Sequence, residues 1–179
     1  VVQDSGGYEG TIRWNVSPVR PERPEEAMAL GIGMVHQEFM LIPGFTVHEN
    51  VKLNREPLRS NFLSRVIARP LALLDRERMK ADARVALRRM RIDLGVEERA
   101  AGLPVGLKQF VEIAREIDKR DLKLLIVDEP TAVLTESEAA NLLEILRDLS
   151  GAGIAILFIT HRLDEVVEIA DSILVLRDG

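Results

Sequence analysis

The 179 residues contain no cysteine, which excludes disulfides and thiolate metal sites. Aromatic residues make up only 4% of the chain, so its core has to be assembled from Leu, Ile, Val and Ala. No apolar run approaches the roughly 18 residues needed to cross a bilayer; the longest lies near Ile154–Ile159. Val1-Val2-Gln3-Asp4 carries neither a signal-peptide pattern nor an initiator methionine. The chain is therefore expected to begin mid-protein, to be soluble, and to act at a membrane only through a partner. An excess of positive charge is also missing. The net charge is −5, unlike the basic balance of a general nucleic-acid binder.

What is present suits one globular domain. The composition is 46% hydrophobic and 30% charged, which is not that of a disordered chain. A chain of this length buries roughly 70% of the surface its unfolded form exposes. Gly6, Gly7 and Gly10 mark a turn, and Thr11–Val16 then reads as a strand. Pro24–Leu30 reads as a short helix, with Glu25 and Glu26 at its positive end and Gly31 as its stop. Ile32–Val35 is a short strand. From Val47 to about Ala101 no strand signal occurs. Asp75 is placed to cap a helix in which Met79, Ala83, Leu87 and Met90 recur at helical spacing.

Strand and helix patterns then alternate. Val105–Asp118 fits a helix, and Leu122–Val127 is a continuous apolar run, as in a strand buried on both faces. Thr135-Glu136-Ser137-Glu138 is a capping-box pattern for a helix that Gly151 closes. Ile154–Thr160 is another buried strand, Leu163–Ala170 a helix and Ile173–Leu176 a last strand. This alternation predicts an α/β fold with a largely parallel sheet.

Four segments carry chemistry. Leu124-Leu125-Ile126-Val127-Asp128-Glu129-Pro130-Thr131 is a hydrophobic strand that ends in two adjacent carboxylates. Ligands of open α/β sheets bind at that carboxyl edge. Side chains alternate along a strand, so Asp128 and Glu129 cannot do the same job. One suits holding Mg²⁺, and the other suits orienting or deprotonating a water for attack on a phosphate. His161 follows the next strand and reaches the same edge, whereas His36 and His48 lack such a context and read as structural. Gln37 ends the strand Ile32–Val35 and offers an amide oxygen to a metal or a water. Finally, Gly106 opens a helix, where backbone N–H groups can approach a phosphate.

These segments, in this order and over nearly the whole chain, resemble ATP-binding-cassette ATPases. Gln37 resembles the Q-loop, Leu103–Gln109 the signature motif, Leu124–Asp128 the Walker B strand, Glu129 the catalytic glutamate and His161 the H-loop. Val35–Pro43, Glu49-Asn50-Val51, Val105–Ile113 and Thr131–Glu136 look like the branch that imports ribose, galactose and xylose, and like its N-terminal cassette. The resemblance implies a P-loop NTPase-type sheet flanked by helices, with a β-subdomain remnant and Q-loop over residues 1–46. A helical insert over 47–104 and a catalytic α/β core over 105–179 follow. It implies ATP and Mg²⁺ as cofactors. Glu129 would polarise the attacking water and His161 would stabilise the γ-phosphate. Gln37, Val105, Gly106, Leu107, Lys108, Gln109 and Asp128 would bind nucleotide, with Gln37 and Asp128 serving the metal. The implied partners are a second cassette, transmembrane permease subunits and, indirectly, a sugar-binding protein, at the cytoplasmic face of the membrane.

The sequence departs from the family in two places. No Gly-x-x-x-x-Gly-Lys-Ser/Thr segment occurs, so the chain is expected to lack the P-loop strand and helix and to be inactive alone. Pro104 stands where the family has serine and offers neither a hydroxyl nor an N–H, so weaker ATP-driven pairing is expected. Two alternatives stand beside the importer: a cassette ATPase that moves no solute, and a degenerate cassette that only pairs or regulates. The basic run Arg84, Arg88, Arg89 and Arg91 reads as a solvated helix face and not as a nucleic-acid site.

Overall fold

A computed structural model describes residues 10–59 and 73–177. The predicted turn at Gly6 and Gly7 and part of the predicted insert lie outside these residues. The first elements are two short antiparallel strands, β1 (Ile12–Trp14) and β2 (Ser17–Val19). A single strand over residues 11–16 was expected. Instead the chain reverses at Asn15 and Val16, whose φ angles are 47° and 72°. Two positive φ values in a two-residue loop match the twist of a hairpin. The usual second residue of such a turn is glycine, and valine there gave no signal to read.

Helix α1 (Pro24–Ala29) and strand β3 (Ile32–Val35) follow. Gly31 joins them at φ +88°, and a Cβ there would lie 2.3 Å from the Asp121 carbonyl oxygen, so only glycine fits. Helix α2 (Val47–Val51) opens with a capping box between Thr46 and Glu49. Helix α3 (Arg76–Arg89) is capped by Asp75, whose Oδ1 accepts from Arg78 N at 3.1 Å. Its predicted face is buried: Met79, Ala83 and Leu87 are core residues, as is Met90 at its end. A 3₁₀ turn at Ala100–Gly102 leads to α4 (Val105–Ile117), β4 (Leu124–Asp128), α5 (Glu136–Gly151), β5 (Ala155–Ile159) and α6 (Leu163–Ile169). Helix α5 has the predicted capping box at Thr135 and Glu138. Gly151 is its last residue rather than its stop; the left-handed turn falls at Gly153, φ +93°.

Strands β3, β4 and β5 form a parallel sheet in that order, with Val35 opposite Val127 and Val127 opposite Phe158. Because each crossover moves the chain one strand along in the same direction, right-handed connections place their helices on the same face. That face carries the core. Leu125 and Val127 pack there with Phe110 and Ile113 of α4 and Leu142, Ile145 and Leu146 of α5. Each such side chain contributes about 1.5–3 kcal/mol on burial. Val47, Val51, Ala83 and Leu87 belong to the same cluster, so the helices of residues 47–104 share the core of the sheet.

Two expectations are corrected here. β4 and β5 were read as buried on both faces, yet Leu157 and Ile159 are 49% and 43% exposed. The crossover geometry covers one face only among the described residues. Ile173–Leu176 was read as a strand but has no strand assignment, and Leu174 is 84% exposed. An apolar run cannot become a strand without a neighbour to take its backbone hydrogen bonds, and β5 does not pair with it.

Candidate active site

Asp128 is the last residue of β4 and pairs with Ile159 of β5. Glu129 continues the hydrogen-bonding edge with its N–H, which donates to the Ile159 carbonyl at 2.8 Å. Its backbone then turns into the left-handed region, φ +47°. For a residue other than glycine this costs about 1–3 kcal/mol. The turn separates the two carboxylates and swings Glu129 along the carboxyl edge of the sheet.

There Glu129 meets the two other residues predicted for this edge. Gln37 Nε2 donates to Glu129 Oε2 at 3.3 Å, and His161 Nδ1 lies 2.9 Å from Glu129 Oε1. Residues from the ends of three parallel strands thus converge on one carboxylate. The glutamate side chain is 29% exposed and the histidine 72%, so the group opens to solvent and to an incoming ligand. Gln37 spends its amide nitrogen on Glu129 and keeps its carbonyl oxygen for another partner. That oxygen and the Asp128 carboxylate are hard donors of the kind Mg²⁺ prefers. Among the described residues no three His, Asp or Glu side chains converge on a metal site. Two protein ligands suit an ion that keeps water and phosphate oxygens as its other ligands.

The Gln37 loop is latched from behind. Met40 N donates to the buried carboxylate of Glu112 on α4, and Met34 N donates to Glu116 Oε2 at 3.1 Å. Burial pushes the Glu112 carboxyl above the usual carboxylate range. His36 is half-buried, and desolvation pushes its imidazole down. His48 is buried, with Nδ1 2.8 Å from the Val96 carbonyl oxygen and 3.0 Å from Thr46 Oγ1. Both fit the structural reading.

Residues 105–109 lie apart from this group: no hydrogen bond among the described residues joins them to it. Pro104 is the N-cap of α4 and makes no side-chain cap. Val105 is exposed, Leu107 and Lys108 are half-buried, and Gln109 is buried with no hydrogen-bond partner for its Nε2. The Gln109 side chain is thus inside and closed to a ligand. Gly106 packs against the start of α5, where a Cβ would come 2.6 Å from Glu138 Oε1. Behind the Glu129 and His161 loops lie Thr131, Thr160 and Glu165, buried or half-buried; Thr131 ends the segment singled out in the sequence, whereas Thr160 and Glu165 were assigned no role there. A carboxylate in the first turn of a helix reads as an ordinary dipole partner.

The family model for "ABC transporter" matches residues 2–132. The chain belongs to this family. The ABC chain is 40% identical over 171 residues to the ribose import ATP-binding proteins RbsA 2 of Rhizobium etli and RbsA of Rhodopirellula baltica. The matches cover 96% of the chain and 31% of each relative, so the chain spans about a third of their length. A nucleotide-free ATP-binding cassette from an ABC transporter shares its fold, with a TM-score of 0.72 at 23% identity over 91% of this chain and 64% of that one. The structure of cbiO1 from Clostridium perfringens, part of the ABC transporter complex cbiONQ, gives 0.66 at 25% identity over 91% of this chain and 60% of that one.

Proposed function

We propose that this ABC chain forms part of an ATP-hydrolysing subunit of an importer for simple sugars. The convergence of Gln37, Glu129 and His161 carries the reading. Glu129 would hold and deprotonate the water that attacks the γ-phosphate. His161, held at Glu129 through Nδ1, would direct Nε2 to a phosphate oxygen and oppose the charge that builds there. Gln37 and Asp128 would hold Mg²⁺, which neutralises phosphate charge when bound. The names of the relatives support sugar import, ribose among the candidates.

In this reading the subunit works against a second cassette, whose nucleotide faces the backbone of residues 105–108. Residues 47–104 and the Gln37 loop would meet transmembrane permease subunits, served in turn by a sugar-binding protein. No helix among the described residues is long and apolar enough to cross a membrane; the place at the cytoplasmic face follows from the proposed role as an import ATP-binding subunit. The 179 residues hold no lysine within a glycine-rich phosphate loop, and this chain by itself should not turn over ATP.

Mg-ATP hydrolysis by the full-length gene product, beside the 179-residue chain, tests the proposal. Turnover by the full-length protein that Glu129→Gln removes, with none from the shorter chain, is expected. Turnover that survives Glu129→Gln would overturn it. Loss of labelled pentose or hexose uptake on deleting the gene tests the transport part, and unchanged uptake of every sugar tried would sink it.

A further inference from the structure

Glu165 lies in the first turn of α6 with its side chain only 4% exposed. The Thr131 hydroxyl donates to its Oε2 at 2.8 Å, and the Thr160 hydroxyl reaches the same oxygen at 3.4 Å. Arg162 Nη1 stands 2.8 Å from the other oxygen, close enough for an ion pair but off the line of a hydrogen bond. Thr131 follows Glu129 by two residues, and Thr160 precedes His161 by one. A single buried carboxylate therefore ties together the two loops that carry the acid and the imidazole. Thr160 is held a second time, because its Oγ1 accepts from Arg162 N at 3.1 Å.

A helix-dipole role does not account for this arrangement. Asp164 beside it is 74% exposed and serves that role from solvent. Burying a carboxylate is costly unless hydrogen bonds and an opposite charge offset it, and among the described residues that offset comes from the two loops and Arg162. His161 by contrast is largely exposed, and among the described residues its side chain bonds to Glu129. Its position depends on the loop beneath it.

We propose that Glu165 is a positioning residue for ATP hydrolysis: by clamping Thr131 to Thr160 it sets the separation of Glu129 and His161. This rests on the reading of Glu129 and His161 as the hydrolytic pair. Glu165 touches neither the nucleotide nor the water. Its loss leaves substrate binding intact and blurs the geometry needed in the transition state, where small misplacements are expensive.

The test is Mg-ATP turnover of the full-length gene product carrying Glu165→Ala, Thr131→Val, both together, or Glu165→Gln, with thermal melts to establish that each is folded. Glu165→Ala is expected to lower kcat at least tenfold with KM within twofold. Thr131→Val lowers kcat about threefold alone and adds nothing to Glu165→Ala, since the two act as a unit. Glu165→Gln, which keeps an acceptor for Thr131, recovers most of the loss. A folded Glu165→Ala with normal kcat, a change confined to KM, or fully additive losses would each overturn the proposal. Should Glu165→Ala not fold, Thr131→Val decides: an unchanged kcat there overturns the clamp. Turnover indifferent to Glu129→Gln removes the ATPase reading and the clamp with it. Turnover lost in Glu129→Gln but untouched by the clamp variants removes the clamp alone.

Discussion

Both carboxylate oxygens of Glu129 are occupied, one by His161 Nδ1 at 2.9 Å and the other by Gln37 Nε2 at 3.3 Å. Each oxygen keeps a second lone pair, so an attacking water can share Glu129 with either neighbour. The Gln37 contact is the longer and weaker of the two, and Gln37 also supplies a candidate metal ligand. Nucleotide binding should therefore draw Gln37 away while His161 stays. In the full-length protein Glu129→Gln and His161→Ala should each lower kcat at least 100-fold, and together scarcely more than either alone. Gln37→Ala should raise the Mg²⁺ concentration needed for half-maximal turnover. Additive losses for the first pair would argue that they do not act together.

Lys52 anchors the helices of the insert to the end of α4. Its Nζ donates to Asp82 at 2.8 Å and to Asp118 at 2.9 Å, and Arg55 Nη1 also reaches Asp118 at 2.8 Å. Lys52 and Asp118 side chains are each only 9% exposed. Lys52→Met should destabilise the chain by about 3 kcal/mol, because it leaves a buried carboxylate with one cation in place of two. Urea unfolding measures this, and a loss below about 1 kcal/mol would show that the network is screened as a surface pair is.

Glu112 makes a prediction about pH. Burial raises its carboxyl above the ordinary range, so the folded state binds this proton more tightly than the unfolded chain. Its contribution to stability is complete below the unfolded value and is lost as pH rises through the raised folded value. Glu112→Gln keeps an acceptor for Met40 N and escapes that loss. The variant should melt above the parent at pH 7 and level with it near pH 4. A gap that is the same at both pH values would remove burial of charge as the cause.

Gly106 and Glu138 should be coupled. A Cβ at Gly106 would meet Glu138 Oε1 at 2.6 Å and push that side chain off Thr135, which it caps through Oε2. Gly106→Ala should cost about 1 kcal/mol, the worth of a helix cap. In a Glu138→Ala background the same change should become neutral or stabilising, since alanine favours a helix over glycine by about 0.5–1 kcal/mol. Equal effects in both backgrounds would show that the cap does not move.

Much of this was legible from residue order. The caps at Asp75 and Thr135, the buried stripe from Met79 to Leu87 and the parallel strands all follow from local chemistry: short polar side chains satisfy free N–H groups, and apolar spacing tracks the helical period. The hairpin at Asn15 and Val16 was missed because its turn lacks the glycine that marks such turns. The strand at Ile173–Leu176 was over-read because an apolar run announces a preference and not a partner.

The sequence alone pointed to the family and put forward Gln37, Asp128, Glu129 and His161 as candidates, since each sits at a strand end whose character is set within a few residues. Only the tertiary structure decided what they touch. Gln37 and Glu129 are 92 residues apart in the chain, and Glu129 and His161 are 32 apart. The parallel register of β3, β4 and β5 brings them together, and the left-handed turn at Glu129 aims the carboxylate. The clamp at Glu165 was likewise invisible beforehand. A hydroxyl and a carboxylate declare their bonding capacity in sequence, but which of them meet is settled by packing.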